Sequence, residues 1–188
     1  LYHMVQNGGG NLFALLKEAA RVDISYYHSW QGLYTSVFVL ALQPGIFGER
    51  YYFIGAVLLI VLMAVCLYYF VSACFDRLGV LLSKACCAAI LLTTLLQGLP
   101  SMAEGLYWFN GAWNYMPFFF LILVNIGLVL RFTAPSGKRR QLVCAVILSF
   151  VISGGNHVTS FLNILVLLLA ALISRRKALL APLASAIV

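Results

Sequence analysis

Apolar runs long enough to cross a bilayer alternate with short polar punctuation along this chain. Tyr51 to Phe75 is 25 residues without a charge, Ala85 to Ala103 is 19, and Gly105 to Leu130 is 26. A hydrocarbon layer roughly 30 Å thick needs about 20 residues of helix. Each run therefore predicts one spanning helix, the form that pairs its backbone amides within a single segment in lipid. Gln141 to Ser174 is charge-free over 34 residues. As one helix it would extend about 51 Å, too far for a single crossing. Lys138-Arg139-Arg140 precedes it and Arg175-Arg176-Lys177 follows it. Both clusters favour the cytoplasmic side, so the segment must go in and come back. The sequence SGGNH, Ser153 to His157, supplies the turn. Arms of about 15 residues are short for a full span, which predicts a turn recessed below the outer surface. Ala178 to Val188 is apolar over only 11 residues and reads as a truncated further span. A chain that opens at Leu1 and closes inside an apolar run is expected to be a piece of a longer one.

Residues 1–50 carry a different pattern. In NLFALLKEAARV, Leu12, Leu15, Leu16 and Ala19 share one helical face, Lys17, Glu18 and Arg21 lie elsewhere, and Asn11 is placed to cap. This predicts an amphipathic helix lying in the membrane interface. A second short helix, Leu33 to Gln43, is bounded by Gly32 and by Pro44-Gly45. An alternative reading makes Ile24 to Gly48 a span and puts the N-terminus inside. The predicted architecture is all-α: a polytopic integral membrane protein with about five full spans plus a truncated one. Residues 1–50 form an outer juxtamembrane segment, and residues 51–188 form the transmembrane domain.

Composition agrees with this class. The chain is 63% hydrophobic and 9% charged, against about a quarter charged in a soluble domain. Its net charge of +7 is explained by topology and predicts no nucleic-acid partner. Nine of the twelve basic residues fall on one side: Arg77, Lys84, Arg131, Lys138, Arg139, Arg140, Arg175, Arg176 and Lys177. Lys17, Arg21 and Arg50 fall on the other. The five cysteines show no CxxC spacing and read as small buried hydrophobes, and no metal or cofactor is predicted.

With that sidedness, the chemically distinctive residues gather outside. Tyr107, Trp108, Asn110, Trp113, Asn114 and Tyr115 sit within nine residues, and Asn110 and Asn114 are four apart on one helical face. Aromatic rings at this depth serve as interfacial anchors. Interleaved with amides they also make a sugar-binding surface, rings stacking on CH groups and amides pairing with hydroxyls. Glu104, Asp23 and His157 are the candidate acid–base residues. Arg50 and Asn156 are further candidate substrate contacts on the same side. Asn125 and Asn163 lie inside spans and are expected to hydrogen-bond between helices.

Three stretches together resemble a family of uncharacterised bacterial polytopic membrane proteins. YYHSWQGLYTSVFVLALQPGIFG, Tyr26 to Gly48, resembles the family's Y-x-x-W-x-G-R-Y-x-S stretch. EGLYWFNGAWNYMPFF, Glu104 to Phe119, resembles its Y-W-x-x-G-x-x-N-Y-x-x-P stretch, and SGGNHVTSF its G-x-N-E-x-(T/S) turn. Leu33 stands where the family has Arg, and His157 where it has Glu. The family resembles glycosyltransferases of the GT-C superfold. The resemblance implies a multi-pass protein of the inner (cytoplasmic) membrane. Its partners would be a polyprenyl-phosphate-linked sugar, a glycan or lipid acceptor, and membrane lipids. It also brings Trp30, Gly32 and Tyr34 into the first motif, and Glu104, Tyr107, Trp108, Asn114 and Tyr115 into the second. A lipid or polysaccharide transporter or flippase, with Thr93, Thr94, Asn125 and Asn163 on one polar path, is the alternative function; a non-catalytic membrane scaffold is the third.

Overall fold

The computed structural model describes residue 5 and residues 11–29 and 32–187, and every regular element among them is helical. Helix α1, Leu12–Ser29, starts where the sequence placed its cap: Asn11 Oδ1 accepts from Ala14 N at 2.8 Å. Leu15 and Ala19 are buried, whereas Leu16 on the predicted apolar face is partly exposed. Helix α2, Tyr34–Ala41, is followed by tight turns at Pro44–Phe47 and Glu49–Tyr51. The alternative span from Ile24 to Gly48 does not form. Its first residues belong to α1, Leu33 is extended at φ −94° and ψ 90°, and Pro44 opens a separate turn.

Six further helices follow: α3, Phe53–Leu78; α4, Lys84–Gln97; α5, Phe109–Thr133; α6, Arg139–Ser153; α7, His157–Ser174; and α8, Leu180–Ser185. Among the described residues, three segments are long and apolar enough to cross a membrane. They are Glu49–Leu78, which contains α3, with mean hydropathy 2.7; α5, with 1.9; and α7, with 2.1. Helices α4 and α6 have 14 and 15 residues, and so reach about 21 and about 22 Å. The apolar run from Ala85 to Ala103 stops as a helix at Gln97 because Pro100, three residues on, cannot continue the ladder. The outward faces are apolar. Val57, Leu58, Val61, Val65 and Tyr68 are exposed along α3, and Val158, Phe161, Leu165, Leu169 and Leu172 along α7. Apolar stripes of this length suit contact with lipid rather than water.

Helices α3 and α5 make the most extensive helix pair. Leu59, Met63, Cys66 and Leu67 of α3 pack with Ala112 and Phe120 of α5, and Leu106 closes the cluster from the preceding turn. Val129, Leu167, Leu179 and Ala186 form a second core between α5, α7 and the C-terminal segment. Between α5, α6 and α7 lies a buried polar contact. Asn125 Nδ2 donates to Ser149 Oγ at 3.0 Å and to Asn163 Oδ1 at 2.9 Å, all three side chains being wholly buried. The two asparagines thus join helices as expected.

The bundle has a basic end and an aromatic end. At the basic end Asp76 pairs with Lys84 and, at 3.1 Å, with Arg131, tying α3, α4 and α5 together. Arg176 donates to the Phe132 and Thr133 carbonyls at 3.0 and 3.2 Å. The opposite end holds the turn between α6 and α7. The carbonyl of Gly154 accepts from Thr35 N at 2.7 Å and Ser36 N at 3.1 Å, docking the turn onto the first amides of α2. Gly154, Gly155 and Asn156 are buried within the protein at this turn.

Candidate functional site

The aromatic end is built by fixing the first turn of α5 against the start of α3. Phe109 N donates to Tyr52 Oη at 3.0 Å, and Trp113 Nε1 donates to the Gly55 carbonyl at 3.2 Å. The Phe109 and Trp113 rings stack at 5.4 Å between centroids. A Cβ on Gly55 would stand 2.7 Å from the Phe109 ring, so only glycine admits this approach. Trp113 is therefore committed to holding helices together, and the other face of the same helix turn is left to form a site.

That face opens on a groove of about 580 Å³. Trp108, Asn110, Asn114 and Tyr115 line one wall, and Val22, Tyr26, Leu33 and Ser36 line the other. Ala103–Tyr107 forms a π-helical turn, closed by Trp108 N donating to the Ala103 carbonyl at 2.6 Å. Trp108 then adopts an extended conformation and begins α5. Its indole folds back over Gly111, where an added Cβ would lie 2.4 Å from the ring. Gly111 thus lets the ring lie flat along the helix, between the groove and a neighbouring cavity of about 310 Å³ that contains Glu104. Glu104 is exposed, and Trp108, Gly111 and Tyr115 are shared by both cavities.

The sequence candidates separate into three groups. Trp108, Asn110 and Asn114 come together in the groove, with Glu104 across the indole. Asp23 sits one residue beyond groove-lining Val22. Its Oδ1 is buried without a partner among the described residues, and burial pushes its carboxyl above the usual range. The others lie elsewhere. Arg50 borders a separate cavity of about 490 Å³, its guanidinium carbon 4.8 Å from the Tyr51 ring centre. Tyr107 and His157 are exposed and line neither the groove nor the Glu104 cavity. Tyr34 and Asn156 are engaged in structure. Tyr34 Oη donates to the Phe150 carbonyl at 2.7 Å, burial pushing its phenol up, and Asn156 Oδ1 caps α7 by accepting from Val158 N at 2.9 Å. Trp30 lies outside the described residues.

Ser36 was missed. It is wholly buried at the groove wall, and its hydroxyl has no partner among the described residues. Its signal was the final serine of the Tyr34-Thr35-Ser36 motif stretch. Thr93, Thr94, Asn125 and Asn163 are the residues named for the polar path of the transporter alternative. Thr93 and Thr94 bond carbonyls of their own helix at 2.9 and 2.8 Å, while Asn125 and Asn163 bond each other. Among the described residues no three His, Cys, Asp or Glu side chains group as metal ligands. No family, curated protein or solved structure matches this chain.

Proposed function

We propose that this chain is a GT-C-like membrane glycosyltransferase, or part of one. It moves a sugar from a polyprenyl-phosphate carrier to a glycan or lipid acceptor on the extracytoplasmic side. The observation that carries the reading is the groove wall of Trp108, Asn110, Asn114 and Tyr115, with a carboxylate in the adjoining cavity. The aromatic faces stack on a sugar's CH groups, and the amides pair with its hydroxyls. A carboxylate, Glu104 or Asp23, takes the proton from the acceptor hydroxyl as its oxygen attacks the anomeric carbon and the lipid phosphate leaves. Asp23, biased toward its protonated form by burial, is the weaker base.

In this reading the basic end faces the cytoplasm, as cationic loops do. The chain sits in the inner membrane and crosses it about five times. The short helices α4 and α6 complete their crossings with the irregular residues 98–102 and the recessed turn at 154–156. The test is Trp108→Ala and Glu104→Gln in the full-length protein, scored by surface glycan composition at matched protein level. Glu104→Gln is expected to cut the dependent sugar about a hundredfold, the lower end of one acid–base group's contribution, and Trp108→Ala is expected to lower it as well. Unchanged glycan in both variants would remove the assignment.

A further inference from the structure

The basic end holds a cavity that sugar transfer does not use. Its volume is about 460 Å³, and it lies between the last turns of α3 and α5 and the linker into α6. Asp76, Arg77, Arg131, Ser136 and Gln141 are its polar walls. The one carboxylate is already matched twice, by Lys84 and by Arg131. Arg131 Nη2 also donates to Ser72 Oγ at 2.9 Å, and the Tyr69 ring centre lies 5.1 Å from its guanidinium carbon. These contacts hold the guanidinium in one orientation and occupy one edge of its fork.

What is left over on these walls is donors. Arg131 Nη1 and the whole Arg77 guanidinium have no protein partner among the described residues. Gln141 Oε1 accepts from Lys138 N at 2.7 Å, which leaves its amide hydrogens uncommitted. The Ser136 hydroxyl is exposed and likewise unpaired among the described residues. Helix α6 begins beside the cavity with Lys138, Arg139 and Arg140 and has no acidic residue in its first turn. Cations at a helix N-terminus oppose the helix dipole, an arrangement that an anion at this point relieves. Of the remaining, apolar walls, Ala73 and Leu130 belong to the membrane-length helices α3 and α5, and Ala134 and Pro135 to the linker into α6.

We propose that this cavity binds the phosphate of an anionic lipid headgroup at the basic end of the bundle. Arg77 and Arg131 supply charge, and Ser136 and Gln141 supply further donors to the phosphate oxygens. Ala73 and Leu130, on helices of membrane length, favour a lipid over a soluble phosphate, because they put the cavity at the end of the membrane-crossing part of the bundle.

The test uses the full chain, purified and delipidated in detergent. Retention of phosphatidylglycerol is compared with phosphatidylcholine by native mass spectrometry, with inorganic phosphate as a soluble competitor. Phosphatidylglycerol should be retained preferentially and resist phosphate. Arg77→Gln breaks no ion pair and should lower retention about fivefold, one basic residue's contribution at an anionic lipid surface. Lys17→Gln, at the other end of the chain's topology, should leave it unchanged. Equal retention of the two lipids overturns the proposal. So does an Arg77→Gln result no different from Lys17→Gln. Displacement by inorganic phosphate at comparable concentration overturns the lipid assignment in favour of a soluble anion. None of these outcomes depends on glycan transfer, so the two proposals fail separately.

Discussion

Gly155→Ala should sharply lower the yield and thermal stability of the folded protein in detergent, and Gly155→Leu should abolish the folded peak on gel filtration. A Cβ at Gly155 would stand 2.2 Å from Phe118 Cδ1 and 2.4 Å from Cγ. Phe118 is 2% exposed, so its ring has no free space to move into. Overpacking of this kind costs about 1–3 kcal/mol for one methyl group, and more for a larger side chain. The damage spreads, because the neighbouring Gly154 carbonyl accepts from two amides of α2 and its own Cα faces the Tyr34 ring. Phe118→Ala in the Gly155→Ala background should recover part of the loss, which a general sensitivity of the turn would not. Gly79→Asn is the contrasting case. Its φ of +68° suits asparagine, and no atom lies within 4 Å of an added Cβ, so stability should barely change.

Asn125 is the second sensitive point. Asn125→Val removes the donor that Ser149 and Asn163 share, leaving the wholly buried Asn163 with neither of its amide atoms paired. A buried polar group left unpaired costs about 1–3 kcal/mol, and hydrogen bonds between membrane helices measure up to about 2 kcal/mol. Asn125→Asp should be worse, since a charge at the middle of a span costs about 2.5–3.5 kcal/mol. The double variant Asn125→Val with Asn163→Val should be more stable than Asn125→Val alone, because it deletes the stranded amide as well. Thermal unfolding in detergent orders the three variants, and a double variant weaker than the single would contradict the buried triad.

Much of this architecture was written in local pattern. Charge-free length located α3, α5 and the hairpin of α6 and α7, and the basic clusters at both feet of Gln141 to Ser174 demanded the turn at Gly154-Gly155. Asn11 as a cap is equally local. The residues whose roles were not legible make contacts far apart in the chain. Tyr34 and Phe150 are 116 positions apart, so no periodicity announces that the Tyr34 hydroxyl is occupied. Asn156 reads as a ligand-binding amide until its oxygen is found capping α7. Hydropathy does not show that Lys84 and Arg131 converge on Asp76. The site was half legible. Four-residue spacing put Asn110 and Asn114 on one face, but the opposite wall, Tyr26 and Ser36, comes from helices brought there by docking of the turn.

Sugar transfer at the aromatic end depends most on which end of the bundle faces the cytoplasm. The direct measurement replaces the five native cysteines with alanine and introduces Asn110→Cys or Ser136→Cys singly, then treats intact cells with a membrane-impermeant maleimide. The predicted result is labelling of Asn110→Cys in intact cells and of Ser136→Cys only after permeabilisation. Labelling of Ser136→Cys in intact cells, with Asn110→Cys protected, would contradict it.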